Sequence, residues 1–335
     1  MRCFIYPQVG NPDTLTMIER DIPKPGPGQV LVRMKAASLN YRDHLISTGR
    51  YGTPDPNLVP LSDGAGEVVE VGAGVTGFSA GDRVVGCFFE TWLGGRMVPE
   101  HFEYALGGTA QGVLAEYKVF SAQALLPIPG ELSFHEAATL PCAALTAWNA
   151  LFEYAAPVRP GETVLILGTG GVSMFALQFA KAAGAEALAT SSSDAKLAKA
   201  QSLGASTLIN YRTHPEWDEE VRKATGGRGV DHVVEVGGAG TLQRSIGAAC
   251  HGGAVHLIGV LTGGTINPFP ILFNTTHVRG VFVGSKEMFG NMNRMITLHG
   301  IRPVIDRVFP FAEARSATRY MEGASHVGKI VIEFG

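Results

Sequence analysis

The chain has 335 residues, enough for two domains. Hydrophobic residues make up 45% against 17% charged, which supports packed cores and excludes a disordered chain. A net charge of -3 leaves no basic face for general nucleic-acid binding. The apolar runs are too short to span a membrane, and the N-terminal MRCFIYPQVG carries no apolar leader core. The expectation is a cytoplasmic protein acting on a small molecule, with no nucleic-acid or membrane partner.

The first 125 residues read as short strands and turns. Residues 29–35 (QVLVRMK) alternate apolar and polar side chains, the period of a half-buried strand. Residues 67–71 (EVVEV) are similar and run into Gly72-Ala73-Gly74, and Gly81-Asp82 leads into 83–86 (RVVG). Short strands separated by Gly and Pro indicate a barrel-like β domain. Residues 87–112 hold Gly94-Gly95 and Gly107-Gly108 with little periodicity, and are expected to form a long surface loop.

Ser133 and Glu136 stand three apart before an apolar run, a capping box that opens a helix to about residue 154, kinked by Pro141. Residues 163–168 (TVLILG) form the continuous apolar run of a strand buried on both faces. Residues 172–184 (VSMFALQFAKAAG) have helical spacing and a glycine stop. Strands at 186–190, 207–209, 232–236, 255–260 and 278–284, with a helix at 194–203, give the rhythm of a doubly wound parallel sheet. The tail returns to the first style, with strand 304–308, helix 312–322 and strand 329–334, and is expected to rejoin the N-terminal domain. The fold class is therefore α/β, with a β domain over 1–128 completed by 303–335 and a dinucleotide-binding domain over 129–302.

The strongest motif is Gly168-Thr169-Gly170-Gly171-Val172-Ser173, which follows a strand and opens a helix. Gly168 permits the tight turn, Gly170 lets a pyrophosphate approach the backbone, and the helix N-terminus supplies N–H groups and partial positive charge. Ser173 is small enough for close helix–strand packing. NAD sites place a carboxylate at the end of the second strand for the ribose hydroxyls. Here that strand ends Thr190-Ser191-Ser192-Ser193, with no carboxylate before Asp194, and Lys196 and Tyr211-Arg212 follow. Hydroxyls and a cation suit a 2′-phosphate, so NADPH is the expected cofactor; the serines also suit the cap of the next helix.

These residues resemble the medium-chain dehydrogenase/reductase superfamily over nearly the whole chain. GAGEVVEVGAGVTGFSAGDRVVG (64–86) is similar to its N-terminal signature, GTGGVSMFALQFAKAAGAE to its cofactor turn, and GKIVIEF (328–334) to its closing strand. The resemblance implies a GroES-like β-barrel catalytic domain joined to a Rossmann domain, with the active site in the cleft between them. In the zinc branch of that superfamily a Cys, a His-Glu pair and a later Cys build the catalytic metal site. Here those positions hold Asn40, Ser62-Asp63 and Cys142. One thiolate with an Asn and a Ser does not supply three strong N/S ligands, and the four close cysteines of the structural zinc lobe are absent, so no metal is expected. Cys142 reads as a small buried hydrophobe.

Within the zinc-free branch the chain resembles quinone oxidoreductases. Asn40-Tyr41-Arg42-Asp43 matches their Asn-x-x-Asp segment, and Tyr51 falls at their pocket tyrosine. The resemblance places Thr146 beside the nicotinamide and Ser191, Lys196 and Tyr211 at the 2′-phosphate. It also puts Ser192, Gly259, Ser285 (in Gly284-Ser285-Lys286) and Lys329 near the cofactor. Asn40 and Tyr51 are then the expected catalytic hydrogen-bond donors, with Asp43 either orienting Asn40 or an Arg, or capping a helix. A homodimer joined through the strand near 278–284 is likewise implied. The function expected is NADPH-dependent reduction of a quinone or α,β-unsaturated carbonyl without zinc. The alternatives are a zinc-free NADP-dependent alcohol dehydrogenase or carbonyl reductase, and a non-catalytic NADPH-binding protein.

Overall fold

The alternating apolar runs of the first 130 residues become seven strands: β1 (Arg2–Ile5), β2 (Thr16–Glu19), β3 (Gln29–Ser38), β4 (Asp63–Val71), β5 (Arg83–Gly86), β6 (Tyr117–Ser121) and β7 (Leu125–Pro127). The computed structural model describes residues 1–8, 10–52 and 55–335. After the short helices α1 (Tyr41–Ser47) and α2 (Phe134–Ala137) comes a π-helical turn at Leu140–Ala144, and then α3 (Leu145–Phe152). The chain next alternates β8 (Thr163–Leu167), α4 (Gly171–Ala182), β9 (Glu186–Ser191), α5 (Asp194–Ser202), β10 (Thr207–Asn210), α6 (Trp217–Ala224), β11 (Val230–Glu235), α7 (Ala239–Ala248) and β12 (Ala249–Leu257). It ends with α8 (Phe269–Phe273), β13 (His277–Gly280), α9 (Lys286–His299), β14 (Ile305–Pro310), α10 (Ala314–Glu322) and β15 (Lys329–Glu333).

Two units result: Met1–Leu145 with Gly284–Gly335, and Thr146–Val283. In the first, a sheet runs β14-β15-β3-β4-β5-β7, with β6 also pairing β3. The tail rejoins the β domain as expected, because β15 lies antiparallel to β3 with Val331 opposite Ser38 and Ile332 opposite Ala37. Val30, Val32, Met34, Phe120, Ile330 and Ile332 share its core. Burying each such side chain contributes about 1.5–3 kcal/mol. In the second unit six strands are all parallel in the order β10-β9-β8-β11-β12-β13. The order reverses between β8 and β11, the switch point where open parallel sheets bind ligands beyond their strand ends.

Several expectations need correction. The first unit takes in residues 129–145 and 284–302, which the sequence assigned to the nucleotide domain. For residues 284–302 the reason is a long-range contact: α9 is tied to the β unit by Lys286 and Glu287 N–H bonds to Trp92 and Leu93 carbonyls, both 3.0 Å. Residues 87–112 are not a surface loop throughout. Phe88, Phe89, Trp92 and Leu106 are buried, and Pro99–Tyr104 forms a 3-10 turn. The expected helix from 133 to 154 is broken at Pro141, which opens the π turn, while its capping box stands as read. The strand expected at 255–260 ends at Leu257, and the one at 278–284 ends at Gly280.

Candidate active site

In the first unit the end of β3 presents Asn40. Ile330 O accepts both Ser38 Oγ–H at 3.0 Å and Leu39 N–H at 3.1 Å, so β15 holds the strand end in place. Asn40 then caps α1. Its N–H donates to Asp43 Oδ2 at 2.8 Å, and its carbonyl accepts Asp43 N–H at 2.9 Å. The Asn40 side chain is buried, 8% exposed. Lys329 Nζ donates to Asn40 Oδ1 at 2.5 Å and to Leu39 O at 2.5 Å. An ammonium has only donors, so the amide atom facing it is oxygen, and Nδ2 turns the other way. Nδ2 is buried and completes no hydrogen bond. A buried donor left without a partner costs about 1–3 kcal/mol.

Beside it stands Asp63, the first residue of β4 and fully buried. Its Oδ1 accepts Ser62 Oγ–H at 2.5 Å and its Oδ2 accepts Cys142 N–H at 3.0 Å. The π turn leaves that N–H unused by the helix ladder. Burial raises the Asp63 pKa and the Lys329 charge pulls it back. The Asn40 side chain also favours the charged carboxylate, although Nδ2 makes no hydrogen bond of ordinary geometry. Leu61, immediately before this pair, sits at φ +68°, a left-handed conformation that a leucine adopts only under constraint.

Asp43 is buried, and burial pushes its pKa up to about 6 against the opposing pull of Arg42. Its Oδ1 has no hydrogen-bond partner, which fits a carboxyl that holds its proton readily. One bond, from the Asn40 N–H to Asp43 Oδ2, serves both roles read from the sequence: it caps α1 and holds the Asn40 backbone. Arg42 Nη1 donates to Leu106 O at 2.8 Å, and the guanidinium lies 4.4 Å over the Phe88 ring. Tyr51 is 37% exposed, and burial of the rest raises its hydroxyl pKa, with Arg42 lowering it and Cys142 raising it. Burial, with the Asp63 charge next, pushes the Cys142 thiol well above its ordinary value.

Two residues assigned to the cofactor by resemblance sit otherwise. Lys329 is buried and spends its ammonium on Leu39 and Asn40. Ser285 is the N-cap of α9, its Oγ accepting Met288 N–H at 3.2 Å. Sequence reasoning missed the Lys329–Asn40 bond and the Cys142 N–H on Asp63. The only signal for the first was that the GKIVIEF strand could pair beside residues 36–38.

The second unit gathers the dinucleotide residues at the C-terminal ends of its strands. Gly168, after β8, has φ +69°, open only to glycine at low cost. Gly170 is the N-cap of α4, no side chain caps that helix, and a Cβ at Gly170 would meet nothing within 4 Å. The N-terminus, with Thr169, Gly171 and Val172, is thus open to an anion. Ser173 Oγ donates to Leu167 O at 2.7 Å, which explains a serine at the third glycine position. Ser191 ends β9 and Ser192 follows it, and Tyr211 N–H donates to Ser191 O at 3.0 Å. Lys196 lies in the first turn of α5, and Asp194 Oδ1 accepts Asn210 Nδ2–H at 2.7 Å. Thr146 is buried near the start of α3. Gly259 N–H is spent on Glu235 O at 3.0 Å, and a Cβ there would fall 1.8 Å from Val236 O, so packing alone requires this glycine.

These residues fit a dinucleotide: a positive-φ glycine, an uncapped helix start, open space above Gly170 and hydroxyls where a carboxylate would repel a phosphate. The donors around Asn40 do not fit catalytic zinc. Both Asp63 oxygens accept hydrogen bonds, the Cys142 thiol resists deprotonation, and an ammonium stands on Asn40. Among the described residues no group of three or more His, Cys, Asp or Glu side chains could hold a metal ion. No helix there is long and apolar enough to cross a membrane.

Comparison with known proteins agrees with this architecture. Residues 26–130 match the alcohol dehydrogenase GroES-like domain and 171–297 the zinc-binding dehydrogenase domain. A zinc-type alcohol dehydrogenase-like protein of Schizosaccharomyces pombe is 45% identical over 99% of both chains. A crystal structure of a putative alcohol dehydrogenase from Sinorhizobium meliloti is 39% identical, with a TM-score of 0.92 over 99% of this chain and 98% of that one. An NAD-dependent alcohol dehydrogenase is 35% identical, with a TM-score of 0.92 over the whole of both chains. A crotonyl-CoA carboxylase/reductase in complex with NADP is 25% identical, with a TM-score of 0.88 over 99% of this chain and 94% of that one. The chain therefore belongs to the medium-chain dehydrogenase/reductase superfamily and is an oxidoreductase of its alcohol dehydrogenase-like, nicotinamide-dependent kind.

Proposed function

We propose that this protein uses NADPH to reduce a quinone or an α,β-unsaturated carbonyl without a bound metal. The observation that carries the reading is the Asn40 amide, buried, anchored at its oxygen by Lys329 and with an Nδ2 that completes no hydrogen bond of ordinary geometry. Reduction of such substrates builds negative charge on an oxygen, and a preorganised donor there is worth about 3 kcal/mol of barrier. Asn40 supplies that donor. Tyr51, whose raised pKa holds its proton, supplies a second, and a nearby water or Tyr51 gives the proton that the reduced oxygen takes up. Asp43 fixes Asn40 through its backbone N–H. The bound reduced nicotinamide supplies the hydride. Gly168, Thr169, Gly170, Gly171 and Val172 would hold its pyrophosphate, and Ser191, Ser192, Lys196 and Tyr211 its 2′-phosphate.

The crotonyl-CoA reductase among the neighbours acts on an enoyl thioester with NADP, which favours the enone class. A second reading, reversible alcohol oxidation, is favoured by the NAD-dependent alcohol dehydrogenase neighbour. The test is a screen of NADPH and NADH oxidation against quinones, enones, enoyl thioesters and aldehydes, with alcohol oxidation run in reverse. Turnover of quinones or enones with NADPH supports the proposal. Turnover of alcohols alone supports the second reading.

The same reading includes a homodimer. β13 is an edge strand of its sheet. Phe269, Leu272 and Phe273, on the adjoining α8, are 62%, 69% and 70% exposed. An unpaired edge with such a patch suits pairing with a second copy.

A further inference from the structure

We propose that Lys329 is the positioning residue of this site: its ammonium locks the Asn40 amide in the one orientation that presents Nδ2–H to a substrate oxygen, and polarises that N–H into a stronger donor. The inference rests on the reading of Asn40 as the substrate's donor. It goes beyond that reading by assigning the orientation of Asn40 to a strand 289 residues away in sequence.

Three observations carry it. Lys329 Nζ has only donors, and both bonds it makes end on oxygens, Leu39 O and Asn40 Oδ1, at 2.5 Å each. A flipped amide would set two donors face to face, so the lysine selects one rotamer of two. Lys329 itself is held: it is 3% exposed, it follows Gly328 at φ +78°, and its strand is registered against β3 through Val331–Ser38. Asn40 Nδ2 is the polar atom of that side chain left over; it is buried, completes no hydrogen bond of ordinary geometry, and has the Asp63 carboxylate beside it. A cation on the carbonyl oxygen also draws electron density from the amide nitrogen, so Nδ2–H donates more strongly. The arrangement places a fixed positive charge one amide away from where substrate charge develops.

The test uses full-length protein labelled with 15N-asparagine, with the Asn40 side-chain resonance identified by its loss in Asn40→Ala. In Lys329→Met that resonance is expected to move and to broaden or split as the amide samples both rotamers, and Lys329→Arg is expected to restore a single resonance near its original place. Lys329→Gln, which keeps a donor without charge, gives a second reading should the methionine variant fail to fold. An Asn40 resonance unchanged in position and width in the folded Met or Gln variant overturns the proposal. In parallel, menadione reduction by NADPH is followed. Lys329→Met is expected to lower kcat about 10-fold or more, with the NADPH Kd from nicotinamide fluorescence within about twofold. Weaker NADPH binding with unchanged kcat would assign Lys329 to the cofactor instead. If the wild-type protein reduces no quinone or enone, the functional reading fails, while the resonance still decides whether Lys329 orients Asn40.

Discussion

Lys329 and Asn40 meet at 2.5 Å, the ammonium on the amide oxygen. The contact joins the last strand of the chain to the end of β3, and it leaves the amide nitrogen as a buried donor that completes no hydrogen bond of ordinary geometry. A donor set of this kind stabilises an oxygen that gains charge, as a Lewis acid does in the metal enzymes.

Removing that donor should cost catalysis more than binding. Asn40→Ala is expected to lower kcat for quinone or enone reduction by about 10²-fold, with a smaller change in KM, as for the loss of one oxyanion donor. Tyr51→Phe is expected to cost less, because Tyr51 is partly exposed and water can replace its hydroxyl. Steady-state kinetics on both variants check this.

On the proposed reading, the end of β9 sets the choice of cofactor. Ser191→Asp puts a carboxylate where a 2′-phosphate would lie, so the Kd for NADPH is expected to rise about 10-fold or more while that for NADH falls or holds. Fluorescence titration with both dinucleotides reads the difference.

Asp43 gives a stability that depends on pH. Its folded pKa of about 6 lies above the unfolded value, so the protonated form is favoured in the folded state. The stability it contributes is full below about pH 4 and is lost as pH rises through 6, by roughly 2–3 kcal/mol. Asp43→Asn keeps an acceptor for the Asn40 N–H and removes the titration. Denaturant melts between pH 4 and 7 are expected to show that part of the slope vanish in the variant.

His256 works in the opposite sense. It is buried, its Nε2 lies 3.2 Å from His232 Nδ1, and burial, followed by the His232 and Arg279 charges, depresses its pKa to about 3. Stability from the neutral ring is full above about pH 6.5 and falls as pH drops towards 3, by up to about 1.4 kcal/mol per unit. His256→Gln is expected to flatten this acid limb in the same melts.

The apolar patch on α8 should decide assembly. Phe273→Glu places a charge in the proposed dimer contact and is expected to yield monomers at concentrations where the parent is dimeric, read by light scattering.

Much of this architecture was written locally in the chain. TVLILG followed by GTGGVS became a central parallel strand, a positive-φ glycine and an uncapped helix, because each feature depends on neighbours within ten residues. The Ser133 capping box held for the same reason. What failed was non-local. Residues 87–112 bury Phe88, Phe89 and Trp92 on irregular backbone, so no period announced their burial. Residues 284–302 fell in the first unit because α9 is anchored to Trp92 and Leu93, far away in sequence. Asn40, Asp43 and Tyr51 were legible as candidates, whereas the Lys329–Asn40 contact was not, because only strand pairing brings the two together.

The most direct test is the rate of menadione- or enone-dependent NADPH oxidation before and after exhaustive dialysis against a strong chelator, with zinc measured in the same samples. The account predicts an unchanged rate with zinc far below one ion per chain. A rate that falls on dialysis and returns on adding zinc would contradict it.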